Sequence, residues 1–261
     1  MSRRILWINP VGTSAYDEPI GTALRDEALP DSRIDVCSLP GFPVNHLEYN
    51  AYEMVMAGAT IGAVRWGEQQ GYDAAVIGCF YDPALRAARE VSGTMAVTAP
   101  AEACMHLATT VGERVSILVG RSKWIPEMHE NAVKYGFADK VASFRVLRMT
   151  VNEFQQDPAC TEERILEEAR LAVEQDGADV IVLGCTIEFG FYRKVQDELG
   201  VPVIDAIVAP LRYAELLADI RMRHGWGTSR VRGYERPDEA ELDSFVPVFV
   251  PSVHRDPRDP A

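Results

Sequence analysis

The sequence predicts an α/β protein made of two pseudo-symmetric Rossmann-like (flavodoxin-like) units with parallel sheets. Three observations support this class: short, continuously apolar runs typical of strands buried on both faces, helical patterns between them, and repetition of the first set of runs later in the chain. The length of 261 residues accommodates two units of about 100 residues each. Because ligands bind outside the carboxyl ends of parallel strands, we expect the active site in the cleft between the units.

The repetition is clearest in two runs that end in Gly-Cys. Residues 73–79 read Asp-Ala-Ala-Val-Ile-Gly-Cys and residues 179–185 read Asp-Val-Ile-Val-Leu-Gly-Cys. Two further pairs match in the same order: residues 4–9 with 114–119, and residues 93–97 with 200–204. Three matched strands in one order indicate two copies of one unit.

Helices are predicted between these strands. One covers residues 82–91, with Pro83 in its first turn, and another covers residues 210–220. A third is expected to begin with Thr161 as its N-cap. Its apolar stripe is formed by Ile165, Ala169, Ala172 and Val173.

The domain boundaries follow from the repeat. Residues 1–98 and 206–228 are expected to form the first α/β domain, and residues 99–205 the second. Residues 229–261 are expected to form an extended C-terminal arm, because residues 230–261 hold five of the sixteen prolines and no helical pattern. We expect the arm to pack on its own subunit or on a neighbouring one.

Charge and cysteine usage limit the classes of partner and compartment. With 26 basic and 39 acidic residues the formal net charge is −13, which disfavours nucleic acid and anionic membranes as partners. No apolar run is long enough for a membrane span or a signal peptide. Five widely spaced cysteines are typical of reduced thiols in the cytoplasm. We therefore expect a cytoplasmic protein that binds a small molecule and forms a homo-oligomer.

Cys79 and Cys185 are the candidate catalytic residues. Each is predicted at the carboxyl end of its strand and before the start of a helix, where backbone N–H groups favour a thiolate. A single Gly-Cys pair is usually a packing feature, but its duplicated placement favours a catalytic pair. Two thiols on opposite sides of a substrate carbon are suited to proton transfer at a stereocentre. The remaining cysteines are interpreted as packing residues: Cys37, Cys104 and Cys160.

Several motifs resemble the aspartate/glutamate/hydantoin racemase superfamily, and most closely its hydantoin racemase group. The motifs lie at Ile8-Asn9-Pro10 with Thr13-Ser14, at residues 79–85, at residues 101–106, at residues 179–185 and at residues 200–205. The resemblance implies racemisation without a cofactor by Cys79 and Cys185. It also implies substrate contacts from the backbone N–H groups of Phe80 and Thr186, and from Asn9, Thr13, Ser14 and Ser122.

The sequence departs from the hydantoin racemase pattern in three loops. Val11-Gly12 replaces a single Asn, and Gly120-Arg121-Ser122 stands where the group often has paired threonines. After Cys185 the chain reads Thr186-Ile187-Glu188-Phe189 instead of Ala-Gly-Met. Gly-Cys-Thr with a nearby Glu resembles amino-acid racemase branches. Arg121 is interpreted as a surface ion-pair partner rather than a substrate ligand.

Other polar and aromatic residues have structural interpretations as well as functional ones. His106 is expected in the core, and Tyr49 and Tyr52 are expected in the core more than in the cleft. Glu102 and Glu188 are expected either to orient the substrate or a loop, or to cap a helix. No residue spacing suggests a metal site, a nucleotide loop or a pyridoxal phosphate lysine, so no cofactor or metal is expected.

The sequence therefore predicts an isomerase. The main hypothesis is a cofactor-independent racemase of a 5-substituted hydantoin or a related cyclic ureide such as allantoin. An amino-acid racemase, or a cysteine-dependent cis–trans isomerase or decarboxylase of a small dicarboxylic acid, remains an alternative on the same scaffold. A non-catalytic small-molecule binding protein is the third hypothesis.

Overall fold

The protein is described by a computed structural model that covers residues 2–245 and 249–258. The contacts divide the chain into two units. The first comprises Met1–Gly78, Pro83–Ala99 and Pro210–Ala261, and the second comprises Cys79–Asp82 and Pro100–Ala209. Both Cys79 and Cys185 are therefore in the second unit.

Each unit contains one sheet, and the two sheets share a strand order. The first holds strands β1 (Arg3–Ile8), β2 (Ser32–Ser38), β3 (Ala74–Ile77), β4 (Ala96–Thr98) and β9 (Ser252–His254), in the order β4-β3-β1-β2-β9. The second holds β5 (Val115–Val119), β6 (Val141–Val146), β7 (Val180–Leu183) and β8 (Val203–Ile204), in the order β6-β5-β7-β8. All pairs are parallel except β2 with β9. The predicted α/β class with parallel sheets is confirmed.

Helices connect the strands. They are α1 (Asp17–Glu27), α2 (Asn50–Gln69), α3 (Leu85–Val91), α4 (Pro100–Val111), α5 (Ile125–Lys134), α6 (Pro158–Asp176), α7 (Tyr192–Leu199), α8 (Val208–His224) and α9 (Glu239–Phe245). Short 3-10 helices lie at Ser122–Trp124, Ala138–Lys140 and Thr186–Glu188. No described helix is long and apolar enough to cross a membrane.

An aspartate at the same place in both repeats fixes the start of the central strands. Asp73 precedes β3 and accepts the backbone N–H of Arg4 at 2.9 Å. Asp179 precedes β7 and accepts the backbone N–H of Arg114 at 2.8 Å. The backbone N–H of each aspartate in turn donates to the carbonyl of the same arginine, at 2.8 Å and 2.9 Å. These equivalent bonds set the register of β1 against β3 and of β5 against β7.

Neighbouring atoms approach the residue before each cysteine so closely that only glycine fits there. The amide N–H of Gly78 donates to the carbonyl of Ile8, and that of Gly184 to the carbonyl of Leu118, both at 2.8 Å. A Cβ at Gly78 would lie 2.4 Å from the Trp7 indole nitrogen, and one at Gly184 would lie 2.3 Å from the Leu118 carbonyl oxygen. Glycine therefore lets each strand end against the central strand of its sheet.

Two helix starts differ from the sequence prediction. Helix α3 begins at Leu85 rather than at Asp82, because Asp82 (φ 52°) and Ala84 (φ 55°) adopt left-handed backbone conformations that a right-handed helix excludes. Helix α6 begins at Pro158 instead of after Thr161. Its N-cap is Asp157, which accepts the N–H of Cys160 at 3.1 Å, while Thr161 lies buried inside the helix.

The C-terminal arm contains regular structure that its proline content concealed. Helix α9 is docked by the buried guanidinium of Arg65, which donates to the Leu242 carbonyl at 3.0 Å. Strand β9 then pairs antiparallel with β2, and Asp256 accepts the backbone N–H of Ile34 at 2.9 Å. The described part of the arm therefore packs on its own chain. Residues 246–248 and 259–261, including part of the apolar stretch at residues 244–253, lie outside the described residues.

Gly184→Ala tests the close approach at the end of β7. We expect it to lower the free energy of unfolding by about 1–3 kcal/mol, because the backbone carbonyl of Leu118 must move away from the new methyl group. Gly58→Ala is the control, since its methyl group on α2 would meet open space and should stabilise the helix by roughly 0.5–1 kcal/mol. Urea unfolding of both variants measures the difference. Equal effects would contradict the role of Gly184.

Candidate functional site

Cys79 lies in a compact turn directly after β3. We call residues Cys79–Asp82 the first cysteine turn. The side chain of Cys79 is half-buried, whereas Phe80 and Tyr81 are buried. The backbone N–H of Asp82 donates to the carbonyl of Cys79 at 2.9 Å, and the Asn131 side-chain amide donates to the carbonyl of Tyr81 at 2.7 Å. The position of the thiol is thus fixed by both backbone and side-chain hydrogen bonds.

The carboxyl group of Asp82 connects the first cysteine turn to two helices. It accepts the backbone N–H groups of Ala101 at 2.8 Å and Glu102 at 2.9 Å, in the first turn of α4. It also accepts the hydroxyl of Tyr135 at 2.9 Å, just after α5. Burial raises the pKa of Asp82 to about 7, although these three donors oppose the rise. This side chain therefore titrates near neutral pH.

Cys185 lies in a second turn with the same backbone bonding. We call residues 185–188 the second cysteine turn. The backbone N–H of Glu188 donates to the carbonyl of Cys185 at 3.0 Å, and the side-chain amide of Gln155 donates to the carbonyl of Ile187 at 2.7 Å. The backbone N–H of Ile187 also points at the sulfur of the half-buried Cys185, 3.5 Å away. A donor on the sulfur favours the thiolate form.

Glu188 is fully buried and lies near a second carboxyl group. Burial first, and then the charge of Asp205, raise the pKa of Glu188 well above its usual value. The amides of Gly184 and Cys185 lie close enough to oppose this rise, but neither carboxyl oxygen of Glu188 has a hydrogen bond of good geometry to a described residue. One oxygen of Asp205 accepts the backbone N–H groups of Ile207 and Val208 at 2.8 Å and 3.2 Å. Burial and the neighbouring carboxyl thus both favour the protonated form of Glu188.

The other cysteines differ from the two in the turns. Cys37 and Cys104 are fully buried, and burial raises the pKa of each thiol well above its usual value. Such thiols are unreactive. Cys160 is half-buried on α6. None of the five cysteines is in a disulfide, and the described residues contain no group of three His, Cys, Asp or Glu residues that could hold a metal ion.

The polar residues expected to contact substrate lie in the loops after β1 and β5. Asn9 is buried, and its amide accepts from the Trp7 indole at 2.8 Å and donates to Asp17 at 2.7 Å. Thr13 is half-buried, and its hydroxyl accepts the N–H of Ala15 at 3.2 Å. Ser14 and Ser122 are exposed. Assignment of these residues to substrate binding stays a prediction.

Three residues expected in the core lie at the surface instead. His106 is exposed on α4 and makes an edge contact with the Phe137 ring, with 5.0 Å between ring centroids. Tyr49 and Tyr52 are 39% and 41% exposed and form a cluster with His46 at the start of α2. The core interpretation of these residues was wrong, because an aromatic or histidine on an apolar helix does not reveal which face is covered.

Residues that hold the cysteine turns were largely missed by sequence reasoning. Asp82 was assigned to a helix, and Asn131, Tyr135 and Gln155 were not considered. A signal for Asp82 is present, because it stands three residues after Cys79 as Glu188 stands three residues after Cys185. The two amides carry no such signal, since they reach the turns from distant parts of the second unit.

Comparisons with known proteins show the family of this chain. The family model described as Asp/Glu/hydantoin racemase matches residues 5–214. A hydantoin racemase from Pseudomonas sp. (strain NS671) is 35% identical over 239 residues, which cover 91% of this chain and 93% of that protein. A hydantoin racemase from Paenarthrobacter aurescens is 33% identical over 239 residues, which cover 91% and 99%. A solved structure of allantoin racemase from Klebsiella pneumoniae superposes with a TM-score of 0.84 at 32% identity, covering 91% of this chain and 95% of that one.

The duplicated α/β fold and the similarity to hydantoin and allantoin racemases define the protein as a racemase, an enzyme of the isomerase class. The chain belongs to the Asp/Glu/hydantoin racemase family. The resemblance noted in the sequence is confirmed.

The buried acid of the second cysteine turn gives a prediction about pH. A carboxyl whose pKa is raised on folding stabilises the fold below its unfolded pKa of about 4.5, and this contribution is lost as pH rises towards the folded pKa. Glu188→Gln removes that loss. The stability of the variant relative to wild type should therefore increase from pH 5 upwards, by at most about 1.4 kcal/mol per pH unit. Urea unfolding at several pH values measures it.

Glu153→Gln is the matched control for that experiment. The backbone N–H and the hydroxyl of Thr150 lower the pKa of Glu153, so its contribution is fully present above pH 4.5 and is lost only as pH falls. Its stability difference from wild type should stay constant between pH 6 and pH 8. A constant difference for Glu188→Gln as well would show that Glu188 is ionised in the folded protein.

Proposed function

We propose that this protein is a cofactor-independent racemase of a 5-substituted hydantoin or a related cyclic ureide such as allantoin, with Cys79 and Cys185 as its two proton-transferring groups. The observation that carries this proposal is the equivalent placement of the two half-buried thiols after β3 and β7. Each follows a glycine bonded to the central strand and starts a turn closed onto its own carbonyl. The similarity to hydantoin racemases and to an allantoin racemase supports the substrate class.

The proposed mechanism is a proton exchange at C5 of the ring. The thiolate of one cysteine removes the C5 proton, and the electron pair moves towards the adjacent carbonyl oxygen as an enolate. The thiol of the other cysteine then donates its proton to the opposite side of C5, and the carbonyl re-forms. The opposite enantiomer uses the same two groups in exchanged roles, so no other reactant is consumed.

The local environment of each thiol is consistent with these roles. The backbone N–H of Ile187 on the sulfur of Cys185 stabilises the thiolate that must form there. The adjacent carbonyls acidify the C5 proton, so a thiolate of ordinary basicity suffices as the base. The N–H groups of Phe80 and Thr186, which follow the cysteines, are proposed to bind the enolate oxygen. Both residues are buried, which limits competition from water.

Racemisation of hydantoins, allantoin and free amino acids is measured with the purified protein by polarimetry, in water and in heavy water. We expect optical rotation to decay with a hydantoin or allantoin, and the product enantiomer to carry deuterium at C5. Decay with free amino acids alone would reassign the substrate. A covalent adduct with an unsaturated diacid, seen by intact mass spectrometry, would favour the isomerase alternative. Ligand binding without turnover would leave a binding protein.

Cys79→Ser and Cys185→Ser test the two-thiol mechanism. Each should reduce racemisation by at least about 10²-fold, because a serine hydroxyl cannot supply a comparable base at neutral pH. Cys160→Ser is the matched control, a half-buried thiol on α6 that should keep the wild-type rate. Polarimetric rates at saturating substrate, together with thermal unfolding of each variant, provide the measurement. Full activity in either of the first two variants would refute the mechanism.

A further inference from the structure

An acidic residue stands at the third position after each catalytic cysteine. Asp82 follows Cys79 and Glu188 follows Cys185, so the acids have the same separation along the chain as the cysteines. Each acid closes its turn by donating its backbone N–H to the cysteine carbonyl, at 2.9 Å and 3.0 Å. Both side chains are buried, with exposures of 3% and 0%. A buried carboxyl at equivalent places in both repeats requires an explanation, because burying such a group is costly.

The hydrogen bonds to Asp82 favour a carboxylate. Its two oxygens accept three hydrogen bonds, from the backbone N–H groups of Ala101 and Glu102 and from the hydroxyl of Tyr135. A carboxylate accepts all three donors, whereas a protonated carboxyl must reverse its bond with the Tyr135 hydroxyl and accepts the two backbone N–H groups more weakly. In its ionised form, Asp82 therefore fastens the first cysteine turn to α4 and to the end of α5.

The environment of Glu188 favours the opposite form. No described N–H or O–H group donates to its carboxyl with good geometry, whereas the neighbouring carboxyl of Asp205 accepts two backbone N–H groups at the start of α8. Two carboxylates this deeply buried repel each other strongly. Burial and the neighbouring carboxyl both favour the protonated, uncharged form of Glu188.

We propose that Asp82 and Glu188 are the positioning residues of Cys79 and Cys185, and that Asp82 acts as a carboxylate while Glu188 acts as a neutral acid. The two proton-transferring cysteines are thereby positioned by equivalent acidic residues, of which one is ionised and the other is neutral. This inference deepens the proposed function. The measurement of racemisation kinetics rests on that function, whereas the measurement of cysteine alkylation requires no substrate.

The consequence is a pH response confined to Cys79. As pH falls through about 7, Asp82 takes up a proton and the first cysteine turn loosens, while the second turn keeps its neutral acid. The titratable groups facing Asp82 are Glu102 and Cys104 from α4, and Tyr135 after α5. Those on the elements around Glu188 are Asp205, before α8, and the thiol of Cys185 itself, in its own turn.

The first experiment measures the alkylation rate of each cysteine against pH by peptide mass spectrometry, with iodoacetamide as probe. Wild-type Cys79 should show an inflection near pH 7 besides that of its own thiol, and Cys185 should show no inflection there. Asp82→Asn should lose the Cys79 inflection without changing Cys185. An unchanged inflection in Asp82→Asn, its absence in wild type, or an equal inflection at Cys185 would each overturn the proposal.

Tyr135→Phe is the second variant, and it keeps the test decisive if Asp82→Asn folds poorly. It removes one donor that lowers the pKa of Asp82, so the Cys79 inflection should move to higher pH while the aromatic ring is retained. Cys160 in the same digests is the internal reference for general loosening. A parallel change at Cys160 would indicate partial unfolding and would count against a specific positioning role.

The second experiment compares the two isosteric amides as a matched pair. The rate of C5 deuterium exchange is measured separately for each enantiomer, and Cys79→Ser and Cys185→Ser identify which enantiomer each thiol deprotonates. Asp82→Asn should slow exchange of the Cys79 enantiomer about tenfold or more, since an amide cannot accept the three donors. Glu188→Gln, which reproduces a neutral acid, should change the rate for the Cys185 enantiomer by about twofold at most.

The failure of the inference and that of the proposed function are distinguishable. Equal slowing of both enantiomers by Asp82→Asn, or a tenfold loss in Glu188→Gln, would overturn the positioning roles while racemisation by wild type stands. If wild type racemises none of the substrates tested, the proposed function fails, and the alkylation profiles of Cys79 and Cys185 still decide the positioning roles.

Discussion

The hydrogen bond from the amide of each pre-cysteine glycine to the central strand of its sheet is the interaction on which the site depends. It lies directly after β3 at Gly78 and directly after β7 at Gly184, with the same 2.8 Å contact. A Cβ would meet the Trp7 indole at Gly78 and the Leu118 carbonyl at Gly184, so no side chain fits at either position. Because the strand must end there, the cysteine that follows starts a turn instead of continuing the sheet. The positions of the two thiols thus depend on the residues at which β3 and β7 end.

Repetition in this molecule extends beyond strand order to individual hydrogen bonds. In both cysteine turns the cysteine carbonyl accepts the backbone N–H of the third residue after it. The carbonyl of the second residue after the cysteine accepts a side-chain amide at 2.7 Å, from Asn131 in the first turn and from Gln155 in the second. The surroundings of the acids are where the two copies diverge. A duplicated scaffold can therefore keep two reacting groups in equivalent positions and still tune each one separately, because positioning uses backbone geometry and tuning uses side chains.

Much of the architecture could be predicted from the sequence because periodicity reports burial. The continuous apolar runs gave the parallel strands, and the repeated Gly-Cys ending gave the two turns. The start of α3 could not be predicted, since Asp82 and Ala84 adopt left-handed conformations and the partners that hold Asp82 in α4 and at Tyr135 are distant in sequence. The same holds for Asn131 and Tyr135, whose roles depend on tertiary contacts. His106 shows a further limit, because the composition of a helix does not reveal which of its faces is buried.

Strand β9 has a significance that goes beyond anchoring the C-terminus. It pairs with β2, whose outer edge would otherwise present the unpaired N–H and C=O groups of a largely buried strand. Such edges recruit strands from other molecules, and proteins usually block them. The residues that block this one lie after position 214, beyond the segment that the family model matches. A segment outside that match therefore covers this edge of the first sheet, and shortening the chain to the matched residues would expose it to pairing with other molecules.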